Sequence, residues 1–334
     1  MFFEKDSFFD AFNHKKIDKY RFSLKLPTEG VIIPKCDEKY EIQHLGNTKN
    51  FLVKHSNKKF ILKAISKKQN YPEKLINVSL SLNNIIKVPQ PTKFIDGNYV
   101  FEDENFYWTQ LCYIDGNSFL GEIGDYFAIM TLIEKLFLQR NEISNKIKTF
   151  VKGKSIFYDD VEKQFFKYLE MFREDELFEM LPINCQKLIK SEFLNSIQIP
   201  FNIGQSIPCH IDLHPQNIII KSDKEVFILD MDSFQNFPIK VAYSFAIFKN
   251  FRHMVASYGN EPQNFLEQFA NCVVSVFQNK FEPPQILKLA QLEYMRRANN
   301  VFFEIKNNGW SKWIENLSVQ LAGICETLIV SKRI

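Results

Sequence analysis

The chain's reactive side chains concentrate in Cys209-His210-Ile211-Asp212-Leu213-His214-Pro215-Gln216-Asn217-Ile218-Ile219-Ile220 and in Val226-Phe227-Ile228-Leu229-Asp230-Met231-Asp232. Asn217 and Asp230 stand 5 and 18 residues beyond Asp212. The apolar runs Ile218–Ile220 and Val226–Leu229 flank the polar turn Ser222-Asp223-Lys224, a hairpin pattern. Asp212 and Asn217 precede the first strand and Asp230 follows the second, so all three belong to the open end of that hairpin. Converging oxygen atoms of an Asp and an Asn suit a hard cation such as Mg²⁺, which keeps waters and substrate phosphates as its other ligands. The remaining Asp can take a proton from a substrate hydroxyl. That division of labour is the one phosphoryl transfer needs.

The surrounding pattern gives the elements that must position these groups. Tyr40–Leu45, Phe51–Val53 and Phe60–Ile65 read as short strands separated by Gly46-Asn47 and Ser56-Asn57. A helix is expected over Pro72–Asn84, with Pro72 where a missing N–H costs nothing. Thr92–Ile95 and Tyr99–Glu102 are expected to form a hairpin through Asp96-Gly97-Asn98, and Trp108–Ile114 is a further strand. Beyond Asp115-Gly116-Asn117 the period becomes helical: Phe127, Met130, Ile133, Leu136 and Phe137 form one stripe of Tyr126–Arg140. Further helices are expected over Val161–Met180, Cys185–Leu194, Ile239–Tyr258, Gln263–Phe277, Pro284–Phe303 and Trp310–Ser331, and a short Phe-rich one near Ser7–Phe12. A small antiparallel β lobe with one helix, then a larger helical lobe with one β-hairpin, is α+β with segregated halves. A cleft between two lobes is a natural ligand site.

Composition excludes several classes. With 334 residues, 45% hydrophobic and 24% charged, the chain is neither disordered nor collagen-like and can bury a substantial core. The net charge of +3 does not argue for a nucleic-acid partner. The six cysteines form no CxxC pair, which speaks against a zinc-finger site and for a reducing compartment. The N-terminus lacks the apolar core of a secretory signal, and no apolar run reaches membrane-spanning length, so a soluble cytoplasmic protein is expected. The high Phe content, 34 residues, reads as coding bias and carries no ligand chemistry. The sequence carries no signal of oligomeric state.

His210-x-Asp212-Leu213-x-x-x-Asn217 has the spacing of the kinase catalytic loop, and the His210-x-Asp212-x-His214 start resembles more closely the loop of the aminoglycoside phosphotransferase and choline kinase-like family. Asp230-Met231-Asp232 resembles that family's metal-binding strand end. The resemblance spans roughly residues 40–330, with sharp motifs only at 210–217 and 230–232. It implies a two-lobed protein-kinase-like fold: an extension over 1–38, a small nucleotide-binding lobe over 39–115, and a helical lobe over 116–334 with catalytic loop, metal site and acceptor pocket. It implies an ATP- or GTP-dependent phosphotransferase acting on a small-molecule hydroxyl (an amino alcohol, a sugar or an aminoglycoside), with Asp212 as base and Asn217 and Asp230 holding Mg²⁺. By the same resemblance Phe60–Ile65 is the strand carrying the phosphate-contacting Lys63, and Glu73 is its expected ion-pair partner, ahead of Glu41 and Glu102. Gly46, Asn47 and Thr48 belong to the loop over the phosphates, and Gln110 to Tyr113, including Cys112, is the hinge offering backbone groups to a purine. The sequence departs from the family where an Asp usually opens the helix after the metal-binding strand. Lys240-Val241-Ala242-Tyr243-Ser244-Phe245-Ala246 has none, which puts the bracing of the catalytic loop in question.

Other readings stay beside this one. His210, Asp212 and His214 resemble the ligand run of a metal-dependent hydrolase, although the remaining histidines, 14, 44, 55 and 253, are scattered. Otherwise His210 braces the loop and His214 lines the cleft. Asp232 is open between a second metal ligand, a substrate contact and a solvated turn residue. A nucleotide-binding protein of the same fold without turnover is the third class. The acidic stretch Glu170, Glu174, Asp175, Glu176 and Glu179 reads as a solvated face rather than a grip on a cationic substrate. Arg296-Arg297 and Trp310/Trp313 read as a helix face and a core edge rather than an anionic or sugar site.

Overall fold

The computed structural model describes residues 41–45, 50–55, 58–67, 72–94, 96–151, 158, 160–173, 178–179, 183, 186, 203–258, 262–277, 281–308 and 314–331. The expected loop residues Gly46, Asn47 and Thr48, the helix near Ser7–Phe12 and most of Cys185–Leu194 lie outside them.

The first sheet contains β1 (Glu41–His44), β2 (Asn50–His55), β3 (Lys58–Ser66), β4 (Pro91–Thr92), β5 (Val100–Glu102) and β6 (Phe106–Cys112), all paired antiparallel. Alternation along β3 turns Phe60, Leu62 and Ala64 inward, where they meet Phe51, Val53, Phe94 and Trp108. One expectation fails here. β4 and β5 do not form a hairpin with each other; both lie along the same edge of β6, with Thr92 opposite Gln110 and Val100 opposite Thr109. The turn at Asp96-Gly97-Asn98 does form, with Gly97 at φ +84° and the Asp96 carboxylate accepting from the Asn98 N–H. It makes an excursion within one interrupted edge strand. The true hairpin is β5–β6, where Asp103 accepts from the backbone of Asn105 and Phe106 and from the Trp108 indole.

α1 (Glu73–Leu82) starts after Pro72 and buries Leu75, Ile76, Val78, Ser79 and Leu82, the stripe its spacing calls for. Val78 and Leu82 join the larger, helical core rather than the sheet's own cluster. That core is built by α2 (Ile123–Leu138), α3 (Arg140–Ile147), α4 (Val161–Arg173), α5 (Ile239–Tyr258), α6 (Pro262–Phe277), α7 (Pro283–Asn308) and α8 (Ile314–Ser331). α5 buries Val241, Tyr243, Phe245, Ala246, Ile247, Phe248 and Phe251, nearly its whole circumference, as a central helix must. Among the described residues no helix is long and apolar enough to cross a membrane.

Two small sheets interrupt the helices. β7 (Asn117–Ser118), β9 (Ile218–Ile220) and β10 (Val226–Ile228) form one; β8 (Ser206–His210) and β11 (Phe234–Pro238) form the other. The β9–β10 hairpin is the expected one, with Ile218 opposite Ile228. The β8–β11 pair is not legible in the sequence, because Phe234–Pro238 contains Gln235 and Asn236 and ends in proline. The result is an α+β, two-lobed fold of the protein-kinase type.

Gly116 sits where the chain passes from the first sheet to β7. A Cβ there would lie 2.7 Å from Ile219 Cγ2 and 2.8 Å from the Ile220 carbonyl oxygen. The second neighbour is backbone held in a sheet, so it yields poorly. Gly116→Ala is expected to destabilise the fold by about 1–3 kcal/mol, the range for overpacking a filled site. Chemical denaturation would measure it, and an unchanged midpoint would mean that β9 shifts freely.

Candidate active site

The two small sheets hold one irregular stretch between them. β8 delivers His210; residues 211–214 and a 3₁₀ turn at Pro215–Asn217 follow; β10 then leads through Leu229 and Asp230 to a second 3₁₀ turn at Met231–Ser233. Cross-bonds stitch the halves: the Leu229 N–H donates to Asn217 O at 2.8 Å and the Ile211 N–H to Ser233 O at 3.1 Å. The open end of the hairpin thus gathers Asp212, Asn217 and Asp230.

His210 is fully buried and uses both ring nitrogens on the backbone. Nδ1 accepts from the Asp212 N–H at 3.2 Å, so Nε2 carries the proton and donates to Leu229 O at 3.1 Å. Burial holds its pKa below the ordinary value, and the ring is neutral. It braces the loop and has no nitrogen left for a metal, which removes the three-ligand hydrolase site. Among the described residues no cluster of three or more His, Cys, Asp or Glu is arranged to hold a metal ion.

Asn217 Nδ2 donates to the Asp212 carbonyl oxygen at 3.0 Å. No described donor reaches its Oδ1. Asp230 has left-handed backbone (φ 57°, ψ 62°), one of only two such non-glycine positions among the described residues. That conformation costs on the order of 1–3 kcal/mol and is held here by the side chain's partners. Its Oδ2 accepts from Ser233 Oγ at 2.7 Å and its Oδ1 from Lys63 Nζ at 2.8 Å. Burial opposes the Asp230 charge, but Lys63 and Ser233 outweigh it and hold the pKa below the ordinary value. The free amide oxygen of Asn217 and the carboxylate of Asp230 form an oxygen-only donor set. It fits Mg²⁺, which takes few protein ligands beside phosphate.

Lys63 leaves β3 toward this turn and also contacts Asp232 Oδ2 at 2.8 Å. Burial works against its charge, yet the two carboxylates raise its pKa. The expected partner, Glu73, is not there. Pro72 starts α1 so that Glu73 lies exposed on the outer side of the first turn, while the half-buried Lys74 reaches the Asp232 carbonyl oxygen. Asp232 is therefore an ion-pair partner of Lys63 rather than a solvated residue.

Two backbone contacts expected of β6 are not open. Gln110 lies inside the sheet, flanked by Leu62 and Thr92, and the Cys112 N–H donates to Gln90 O at 2.8 Å. β4, absent as a β6 neighbour in the sequence reading, occupies that edge.

Asp212 has three charged or polar side-chain partners. His214 Nε2 lies 3.2 Å from its Oδ2; Arg297 Nη1 and Lys249 Nζ lie 3.2 and 3.5 Å from its Oδ1. Burial opposes the charge, but these partners hold its pKa well below the carboxylate range. His214 Nδ1 accepts from the Gln216 N–H, so the Asp212 bond needs only neutral imidazole. Lys249 on α5 and the helix neighbours below carry no local signal in the sequence. Arg297 also donates to Ile211 O at 3.0 Å and to Glu293 Oε1 at 2.8 Å, and Asn250 Nδ2 donates to Leu213 O at 3.1 Å. Bracing that the missing Asp would supply thus comes from farther along α5 and from α7. Arg297, read from sequence as part of a helix face, belongs to the site.

Fold and site together define the class: a two-lobed kinase-like scaffold with a braced Asp loop facing an oxygen-rich turn. No family model matches the sequence, and no curated protein matches it. Solved structures do. Spectinomycin phosphotransferase, in complex with ADP and spectinomycin, superposes at TM-score 0.57 with 11% identity over 88% of this chain and 93% of its own. A microcompartment-associated aminopropanol kinase gives 0.54 at 12% identity over 88% and 93%. Choline kinase from Cryptosporidium parvum Iowa II gives 0.53 at 9% identity over 92% and 95%. The chain has the fold of these small-molecule kinases, the group that its loop motif resembles.

Proposed function

We propose that this protein is an ATP- or GTP-dependent phosphotransferase with a small-molecule hydroxyl as acceptor. The observation that carries the reading is the convergence of Asp212, Asn217, Asp230 and Lys63, with Lys63 2.8 Å from Asp230, in that fold. Residues 39–115 would form the nucleotide-binding lobe and residues 116–334 the helical lobe with the catalytic loop, metal site and acceptor pocket. Asp212, ionised and turned by His214, takes the proton of the acceptor hydroxyl. The acceptor oxygen bonds to the γ-phosphorus, the bond from that phosphorus to the bridging oxygen breaks, and the nucleoside diphosphate leaves. Lys63 neutralises phosphate charge. Asn217 and Asp230 would hold Mg²⁺, which supplies charge neutralisation on the phosphates. The neighbours' small-molecule substrates support this reading, since their fold is shared along nearly the whole chain.

Thermal unfolding with ATP, GTP or neither, each with and without Mg²⁺, tests it. A ligand at a hundred times its Kd adds about 2.7 kcal/mol to the folded state, enough to raise the midpoint measurably. A Mg²⁺-dependent rise with one nucleotide, lost in Asp230→Asn, is expected. No shift with either nucleotide would overturn the proposal. A shift without turnover on any acceptor would make the protein a silent nucleotide binder.

A further inference from the structure

The charges around Asp212 are unevenly placed. On the side of β3 and the Asp230 turn, Lys63 and Lys74 face Asp230 and Asp232. On the opposite side, the carboxylates paired with Lys249 of α5 and with Arg296 and Arg297 of α7 among the described residues are Asp212 and Glu293. Glu293 is already saturated: Arg296 Nε and Tyr158 Oη reach its Oε2 at 2.7 and 2.6 Å, and Arg296 Nη2 and Arg297 Nε reach its Oε1 at 2.7 and 2.8 Å. His214, neutral or positive, brings no negative charge to balance them.

Lys249 and Arg297 share a floor. Their charged ends lie 5.3 and 4.2 Å from the centroid of the buried Phe245 ring. Their side chains stay 24% and 20% exposed, and Asp212 29%, so the group opens to solvent rather than being sealed in the core. Both cations lean on the same carboxylate oxygen, Oδ1 of Asp212. His214 Nε2 already lies 3.2 Å from Oδ2, so an acceptor hydroxyl that gives its proton to Oδ1 competes with both cations for that oxygen. A cationic acceptor would then meet two cations with Glu293 already spent. An acceptor with its own negative group beside the hydroxyl would replace Asp212 as their partner.

We infer that the acceptor is anionic: a small hydroxy acid or polyol phosphate whose carboxylate or phosphate binds Lys249 and Arg297 while its hydroxyl faces Asp212. This rests on the phosphotransferase reading above. Lys249 and Arg297 come from the helical side, whereas the groups facing a nucleotide come from β3 and the Asp230 turn. That placement assigns them to the acceptor and not to the γ-phosphate.

The test begins with the Mg²⁺–nucleotide midpoint shift as control for site and folding. Turnover is then measured with D-glycerate, D-gluconate, sn-glycerol 3-phosphate, glycerol, choline and ethanolamine, and midpoint shifts with the same compounds in the presence of Mg²⁺ and a non-hydrolysable ATP analogue. Turnover or an added shift with glycerate or gluconate identifies a carboxylate acceptor; with glycerol 3-phosphate, a phosphate acceptor. Lys249→Met, which keeps the stem on Phe245, should raise the anionic acceptor's KM about five-fold or more, since one close charge at the surface is worth at least about 1 kcal/mol. Arg297→Gln should do the same if it folds; Lys249→Met carries the test if it does not. Turnover of choline, ethanolamine or glycerol in preference to the anions overturns the inference and leaves the kinase reading standing. So does an anion shift that vanishes once the analogue is bound, since the cations then serve the γ-phosphate, and so does no anion response at all beside a normal nucleotide shift. A missing nucleotide shift overturns the kinase reading and the inference with it.

Discussion

Asp212→Asn is expected to lower kcat about a thousand-fold, in the middle of the range for removing a positioned general base, while the Mg²⁺–nucleotide midpoint shift persists. The amide is nearly isosteric, so the oxygen that accepts from His214 Nε2 can be kept. What is lost is the proton acceptor and the charge. Position 212 also meets Lys249 and Arg297, and an amide NH₂ turned toward them would place donor against donor. Some loss of acceptor affinity should therefore accompany the loss of kcat. The partners of Asp212 hold its pKa well below the ordinary carboxylate value, so its folded-state charge adds stability that is present above about pH 4 and fades only as pH falls through the depressed folded value. Asp212 is accordingly ionised across the neutral range, and the acid limb of a pH–rate profile should not be set by it. Steady-state kinetics of the variant on a confirmed acceptor decide the matter. Near-native turnover would remove Asp212 from the role of base and leave the loop as a binding device.

What could be read from sequence follows from how local each feature is. Asp212, Asn217 and Asp230 fall in one span interrupted by a single hairpin, so strand pairing alone brings them together. The helix over Ile239–Tyr258 was legible from its apolar content, as was that expected over Pro284–Phe303, which runs on to Asn308. Lys63 could be singled out only by resemblance, and its partner was mistaken. Glu73 was near in sequence, but the pairing is with Asp230 and Asp232, 167 and 169 residues away. β4 as a β6 neighbour failed for a related reason: two residues, Pro91 and Thr92, carry no alternation to read. Lys249 and Arg297 reach Asp212 across 37 and 85 residues from two helices whose crossing no periodicity specifies. Arg297 reads as ordinary helix face and Lys249 carries no local signal, and only packing turns both toward the loop.

A buried ion pair ties together the helices that carry those cations. Arg252 on α5 and Glu326 on α8 are 2% and 3% exposed; Arg252 Nη2 donates to Glu326 Oε1 at 3.1 Å, Nε donates to Glu326 Oε2, and Nη1 donates to Tyr294 Oη on α7 at 2.9 Å. One guanidinium thus joins three helices, two residues beyond Asn250 and three beyond Lys249. Removing one partner strands a charge away from water, so Glu326→Ala is expected to cost about 3–5 kcal/mol. The double variant Arg252→Met with Glu326→Leu removes both charges and restores apolar volume, and it should recover most of that loss. Denaturant titration of wild type, single and double variants gives the comparison. A single-variant cost below about 1 kcal/mol, the value of an exposed pair, would mean that water reaches this junction. Recovery of stability in the double variant without recovery of turnover would carry the point further: Tyr294 keeps its place, but α5 no longer holds Lys249 and Asn250 in register with Asp212. Activity would then depend on the pair for geometry, and stability only for charge balance.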